Sequence, residues 1–151
     1  MATATLAEAL DFAISMERAA VAFYKALGDN ASFAAQKSVL AEFMAMEEGH
    51  VTMLTGMQLR GAVNLSAQAA TDLGLARRLA AEEKPAAGMS YQDIIVAAIK
   101  KEERSGDLYV SLAASAEAPE GKAVFERLAV EEGRHRQYFE ELYETEIARD
   151  N

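Results

Sequence analysis

Apolar residues along this chain recur at the spacing of a helix face in four long stretches. In the first, over positions 6–27, Leu10, Ala13, Ile14, Val21, Tyr24 and Leu27 share one stripe, and Gly28-Asp29-Asn30 follows as a stop and turn. The second covers positions 35–60, with Leu40, Phe43, Met44, Val51 and Leu54 inward, and closes at Gly61. The short link between them predicts an antiparallel hairpin. Over positions 62–89 the pattern weakens to a short helix at about 66–83 and a break at Lys84-Pro85-Ala86-Ala87-Gly88, the makings of a crossover. A third helix begins at Ser90-Tyr91-Gln92-Asp93, where Ser90 is a good N-cap and Asp93 takes the reciprocal capping position. Its stripe is Ile95, Ile99, Tyr109 and Leu112; the fourth helix opens at Pro119 and turns Val124, Phe125, Leu128, Phe139 and Leu142 inward. The prediction is an all-α, four-helix bundle in one domain over 1–151, two hairpins (about 5–61 and 90–148) joined by one long crossover.

Four glutamates interrupt these apolar stripes. Glu17 falls among Leu10, Ile14, Val21 and Tyr24, and Glu47 among Leu40, Phe43, Met44, Val51 and Leu54. Glu102 falls among Ile95, Ala98, Ile99 and Tyr109, and Glu132 among Phe125, Leu128 and Phe139. The only two histidines each follow one of these glutamates by three residues, as Glu47-x-x-His50 and Glu132-x-x-His135. The whole set repeats at one offset, 102 − 17 = 132 − 47 = 135 − 50 = 85, and Tyr24 and Tyr109 share it. Residues three apart lie one turn above each other, so a glutamate and histidine so spaced can reach one metal. Four ionised carboxylates converging in a core would threaten a net stability of about 5–15 kcal/mol. Two divalent cations would balance them, and the two imidazoles complete a nitrogen and oxygen donor set suited to iron, manganese or zinc. Glu131 also lies one turn before His135 and stays an alternative to Glu132; Glu48 and Glu103 read as solvated neighbours.

The formal charge of −9 and the lack of any long basic run argue against nucleic acid or an anionic membrane as partner. Cysteine is absent, which removes disulfides, thiolate zinc sites and iron–sulfur ligation together. No apolar stretch approaches the roughly 20 residues of a spanning helix, and the N-terminus has no basic lead and meets Glu8 and Asp11 early. A cytoplasmic protein is the expectation.

The segments MERAAVAFYKAL and KEERSGDLYVSLA on the odd helices, with AMEEGHVTML and AVEEGRHRQYF on the even ones, resemble the rubrerythrin-like branch of the ferritin-like superfamily. The resemblance runs over nearly the whole chain and implies a ferritin-like bundle with two iron ions. It also implies that Glu17 and Glu102 are terminal ligands, that Glu47 and Glu132 bridge, and that His50 and His135 bind one metal each. Tyr24 and Tyr109 would orient carboxylates by hydrogen bonds. Two departures stand out. The extra glutamate that rubrerythrins carry one turn after the third-helix ligand is here Ser105, with Ala20 at the matching place in the first half, so the site also resembles the ferroxidase centre of bacterioferritins. No rubredoxin-like four-cysteine module is present in the sequence, so a separate donor protein must supply electrons.

The function so implied is a non-haem di-iron oxidoreductase that reduces hydrogen peroxide or dioxygen. The alternatives are iron handling with a ferroxidase step and a bundle that keeps its metals for stability. Relatives of this kind commonly pair, so a homodimer is expected, with the 62–89 segment long enough for hairpin exchange.

Overall fold

The computed structural model describes residues 6–59, 90–116 and 119–146, and among them there is no strand. The fold is all-α, with four long helices. The chain divides into two compact units, Met1–Asn64 and Leu65–Asn151, and each contains one helical hairpin.

In the first unit, helix α1 spans Leu6–Gly28, with Glu8 in its first turn and Lys25 in its last, each on the side the helix dipole favours. The helix does not end on a left-handed glycine: Gly28 has no positive φ. Instead the Asp29 and Asn30 amides donate to the carbonyls of Lys25 and Leu27 at 3.2 and 3.0 Å. Asn30 is extended, and its Oδ1 accepts from the Ser32 amide at 2.9 Å, which starts a tighter 3₁₀ helix over Ala31–Gln36. At Phe33 the backbone leaves helical values (φ −110°, ψ 20°), and its side chain is wholly buried. Helix α2, Lys37–Leu59, therefore starts two residues later than the apolar spacing predicts, because the link is itself helical. Gln58, near the end of α2, donates to Asp11, near the start of α1, so the two run antiparallel.

The second unit holds α3, Tyr91–Ser115, and α4, Pro119–Glu146. Ser90 caps α3 as the sequence predicts, its Oγ accepting from the Asp93 amide at 3.1 Å, a bond worth about 1 kcal/mol at such a position. Two side-chain bonds, from the Tyr91 hydroxyl to Glu146 and from Gln92 to the Tyr143 hydroxyl, join the start of α3 to the end of α4 and make this pair antiparallel too.

Burial follows the 85-residue offset. Leu10 and Ile95, Ala13 and Ala98, Tyr24 and Tyr109, and Leu27 and Leu112 are buried on the odd helices, as are Leu40 and Phe125, Leu54 and Phe139, and Met57 and Leu142 on the even ones. Val21, Phe43, Met44, Val51, Ile99 and Val124 sit half-buried on the flanks of their stripes. The predicted crossover at 62–89, with the short helix expected at about 66–83, falls outside the described residues. No helix among those described is long and apolar enough to cross a membrane.

The clasp at the end of the second hairpin carries a pH signature. Burial first, then the hydrogen bond to Glu146 and its charge, pushes the Tyr91 hydroxyl well above the ordinary phenol range; burial and Glu146 raise Tyr138 as well. The fold thus favours the protonated phenol. That contribution is fully present below the unfolded phenol value of about 10 and is lost as pH rises from there through the folded value. The urea midpoint should accordingly fall above about pH 10, and Tyr91→Phe should flatten part of that fall while lowering the midpoint modestly at neutral pH, where the hydrogen bond to Glu146 is lost. An unaltered alkaline slope in the variant would place the loss elsewhere.

Candidate metal centre

Each of the six predicted ligands lies near the midpoint of its helix, away from the terminal turns where the helix dipole acts. Each is also buried, with no more than 2% of its surface exposed. Such positions arise because the glutamates and histidines fall at i, i+3 and i+4 from apolar neighbours that the fold must bury.

In the first hairpin, Glu17 on α1 meets Glu47 and His50 on α2, and the three offer ligand atoms that all lie within 4.8 Å of one another. His50 Nδ1 stands 3.3 Å from Glu17 Oε2 and 3.8 Å from Glu47 Oε2. The second hairpin repeats this with Glu102 on α3 and Glu132 and His135 on α4, again within 4.8 Å. His135 Nδ1 is 3.7 Å from Glu102 Oε1 and 3.8 Å from Glu132 Oε2. In both hairpins the Nδ1 side of the ring faces the carboxylates, a detail that residue spacing does not supply.

These separations suit a shared cation better than direct hydrogen bonds, three of the four being too long for one. Two donors on one ion at about 2.1 Å stand about 3.0 Å apart at a right angle and about 3.6 Å apart at 120°. One observed distance, 3.3 Å, falls inside that range and the other three, 3.7–3.8 Å, just beyond it, so small side-chain movements would close either set on an ion. The charge balance agrees, since two carboxylates and a neutral imidazole carry −2, the complement of one divalent cation. The donor set therefore fits a metal such as iron, manganese or zinc.

The neighbouring acids go elsewhere. Glu131, the alternative to Glu132, pairs with Arg127 at 3.0 Å and belongs to neither metal-capable group. Glu103 is half-exposed beside Arg136, which also pairs with Glu140 at 3.3 Å, and Glu48 is exposed. Surface pairs of this kind add little stability.

Tyr24 and Tyr109 are both buried, but their surroundings differ. Tyr24 meets Phe23 and Phe43 edge to face, with ring centroids 5.7 Å away in each case. Tyr109 instead stacks on Phe125 at 6.3 Å with 17° between the planes. Both rings lie in the same stripe as Glu17 and Glu102, which come seven residues before them.

The family model described as Rubrerythrin matches residues 93–150. The second hairpin is rubrerythrin-like. The match takes in α3 from its first turn and all of α4, and Glu102, Glu132 and His135 lie within it. The first hairpin lies outside the matched span and is tied to it by the 85-residue repeat of ligands and burial. Neither the curated proteins nor the solved structures give a match to the chain.

Proposed function

We propose that this protein is a non-haem di-iron oxidoreductase that reduces hydrogen peroxide or dioxygen with electrons from a separate donor protein, acting as a cytoplasmic homodimer. The observation that carries the reading is the buried Glu, Glu, His triplet, present in both hairpins at one offset and, in the second, within a rubrerythrin match. In this reading Glu17, Glu47 and His50 would hold one metal and Glu102, Glu132 and His135 the other, with Glu17 and Glu102 as terminal ligands and Glu47 and Glu132 as the shared carboxylates. The chemistry a loaded centre supplies is a two-electron reduction, one electron per iron, in which H2O2, two protons and two electrons give two waters.

The chain's own residues set the conditions for that step. The four carboxylates would neutralise the charge of two divalent cations, and the imidazoles, whose Nδ1 atoms face those carboxylates, would each add one nitrogen donor. Leu10, Leu54, Ile95 and Leu128, all buried, keep bulk water from the ligand stripes. Tyr24 and Tyr109 orient carboxylates and hold a phenolic proton in a dry environment.

A second reading is iron handling, in which oxidation serves storage or delivery. The residue that favours it is Ser105, which stands where rubrerythrins carry their additional glutamate. Manganese or zinc would use the same donors.

The deciding measurement is metal content per chain after expression with ample iron, followed by optical spectra of the reduced protein as peroxide is added. The expected outcome is about two irons per chain, the number a two-metal site requires, with rapid oxidation by peroxide. Peroxide consumption by a metal-free preparation would overturn the oxidoreductase reading, and bound iron inert to peroxide but oxidised during uptake would favour iron handling.

A further inference from the structure

The two helices that carry the histidines are not equally good helices where they carry them. Around His50, α2 reads Glu48-Gly49-His50-Val51-Thr52-Met53-Leu54-Thr55-Gly56, and at the 85-residue offset α4 reads Gly133-Arg134-His135-Arg136-Gln137-Tyr138-Phe139-Glu140-Glu141. The first stretch has two glycines and three β-branched residues; the second has one glycine and no β-branched residue. A glycine inside a helix is disfavoured about fivefold against alanine, and β-branched side chains lose rotamer freedom there.

Hydrogen bonding widens the difference. In α2 the Thr52 hydroxyl donates to the Glu48 carbonyl at 3.3 Å and the Thr55 hydroxyl to the Val51 carbonyl at 2.7 Å. Those carbonyls belong to the helix ladder, and a hydroxyl that shares one weakens and bends the helix. In α4 the matching stretch is braced along its surface instead, Arg136 to Glu140 at 3.3 Å and Gln137 to Glu141 at 3.2 Å, both at the four-residue spacing that stabilises a helix. Neither room nor conformation calls for Gly49: it is exposed, an added Cβ would meet nothing within 4 Å, and its φ is not positive.

Glu17, Glu47 and His50 are all buried. A cation reaches such donors only when part of their cover opens, and local openings concentrate where few interactions hold the backbone. In the first hairpin that place is the stretch that carries His50 itself.

We propose that residues 49–56 of α2 are an exchange gate for the first hairpin's metal: their local opening frees His50 and lets a divalent cation enter or leave. The braced stretch after His135 makes the second hairpin's metal the slowly exchanging one. Two sets with the same donors then differ in how fast they trade an ion. The inference rests on the metal-centre reading above.

Zinc is a suitable probe, being redox-silent and suited to the same donors. The full-length protein is loaded with zinc and mixed with excess chelator to follow release, zinc affinity and uptake are measured in parallel, and amide hydrogen exchange is read on the metal-free protein. Wild type should release zinc in two phases, and amides over 49–56 should exchange faster than those over 134–141. Gly49→Ala should slow the fast phase, zinc uptake by that set and amide exchange over 49–56, each about fivefold. Affinity should stay the same, because entry and exit slow together, and the slow phase should not move. Arg134→Gly, which places a glycine on the exposed side of α4 at the position equivalent to Gly49, should speed the slow phase by a similar factor. A single release phase, or two phases that Gly49→Ala leaves unmoved, would overturn the gate while leaving the metal centre intact. Weaker zinc binding by Gly49→Ala would also overturn it, making the glycine a support for the ligand set. A wild-type protein that takes up no zinc or iron would overturn the metal-centre reading and the gate with it.

Discussion

Glu47→Gln is expected to move stability in opposite directions with and without metal. In the metal-free protein, Glu17 and Glu47 bring two carboxylates to one imidazole in a buried pocket. Burying a polar group without full compensation costs about 1–3 kcal/mol, and more for a charge. A neutral amide of nearly the same shape relieves that crowding, so the metal-free variant should be at least about 1 kcal/mol more stable than metal-free wild type, about 2–4 °C in melting temperature for a chain of this size. With metal the order reverses, because an amide is a poorer and uncharged ligand. Changes in groups that merely orient a ligand weaken metal binding about 10–100-fold, so loss of a ligand should exceed that upper value. The metal-loaded variant then forfeits the stabilisation that ligand binding confers. Glu47→Ala should go further and abolish both metal uptake and peroxide consumption, and Glu132 should behave in the same way. Calorimetry of loaded and chelated samples reads the crossing directly. If the amide lowered both melting temperatures by the same amount, the glutamates would be hydrogen-bonding core groups and nothing more.

Phe125→Ala should be among the costliest truncations in the second hairpin. Its side chain is almost wholly buried and stacks on Tyr109, so alanine would remove about 3–5 kcal/mol. That is a large part of the about 5–15 kcal/mol by which domains of this size are held together. The expected fall in melting temperature is about 6–20 °C, with the denaturant midpoint shifted and its slope unchanged. Phe125→Leu offers a sharper check. The equivalent residue in the first hairpin is Leu40, itself buried, so leucine suits this kind of position. That swap should cost less than about 1.5 kcal/mol. A loss as large as alanine's would mean that the stacking on Tyr109, rather than the volume filled, sets the energy.

What the sequence discloses here is whatever repeats at the helical period. The four long helices are legible because each runs for 23 residues or more, enough turns for an apolar stripe to define itself. Glu17, Glu47, Glu102 and Glu132 are legible because each breaks such a stripe, and the offset of 85 makes the coincidence specific. The Ser90 cap is legible because its chemistry is local. The 3₁₀ link over Ala31–Gln36 is not, since six residues give no period and a lone Phe33 does not announce that it will be the plug beneath the turn. Phe23 and Leu108 are buried although the predicted stripes omit them, because a helix packed in a protein covers a wider arc than a single row of residues. Nor does spacing show which imidazole nitrogen faces the carboxylates, as that depends on rotamers.

That Glu17, Glu47 and His50 lie in one hairpin bears on how the protein comes into being. His50 lies 33 residues beyond Glu17, so every donor of the first set has left the ribosome before any donor of the second is made. A hairpin with contacts this local closes quickly, since loop entropy is low and helix pairing is among the faster steps of folding. On the proposed metal-binding reading, Glu17, Glu47 and His50 would be on offer to an ion while the other half of the protein is still being translated.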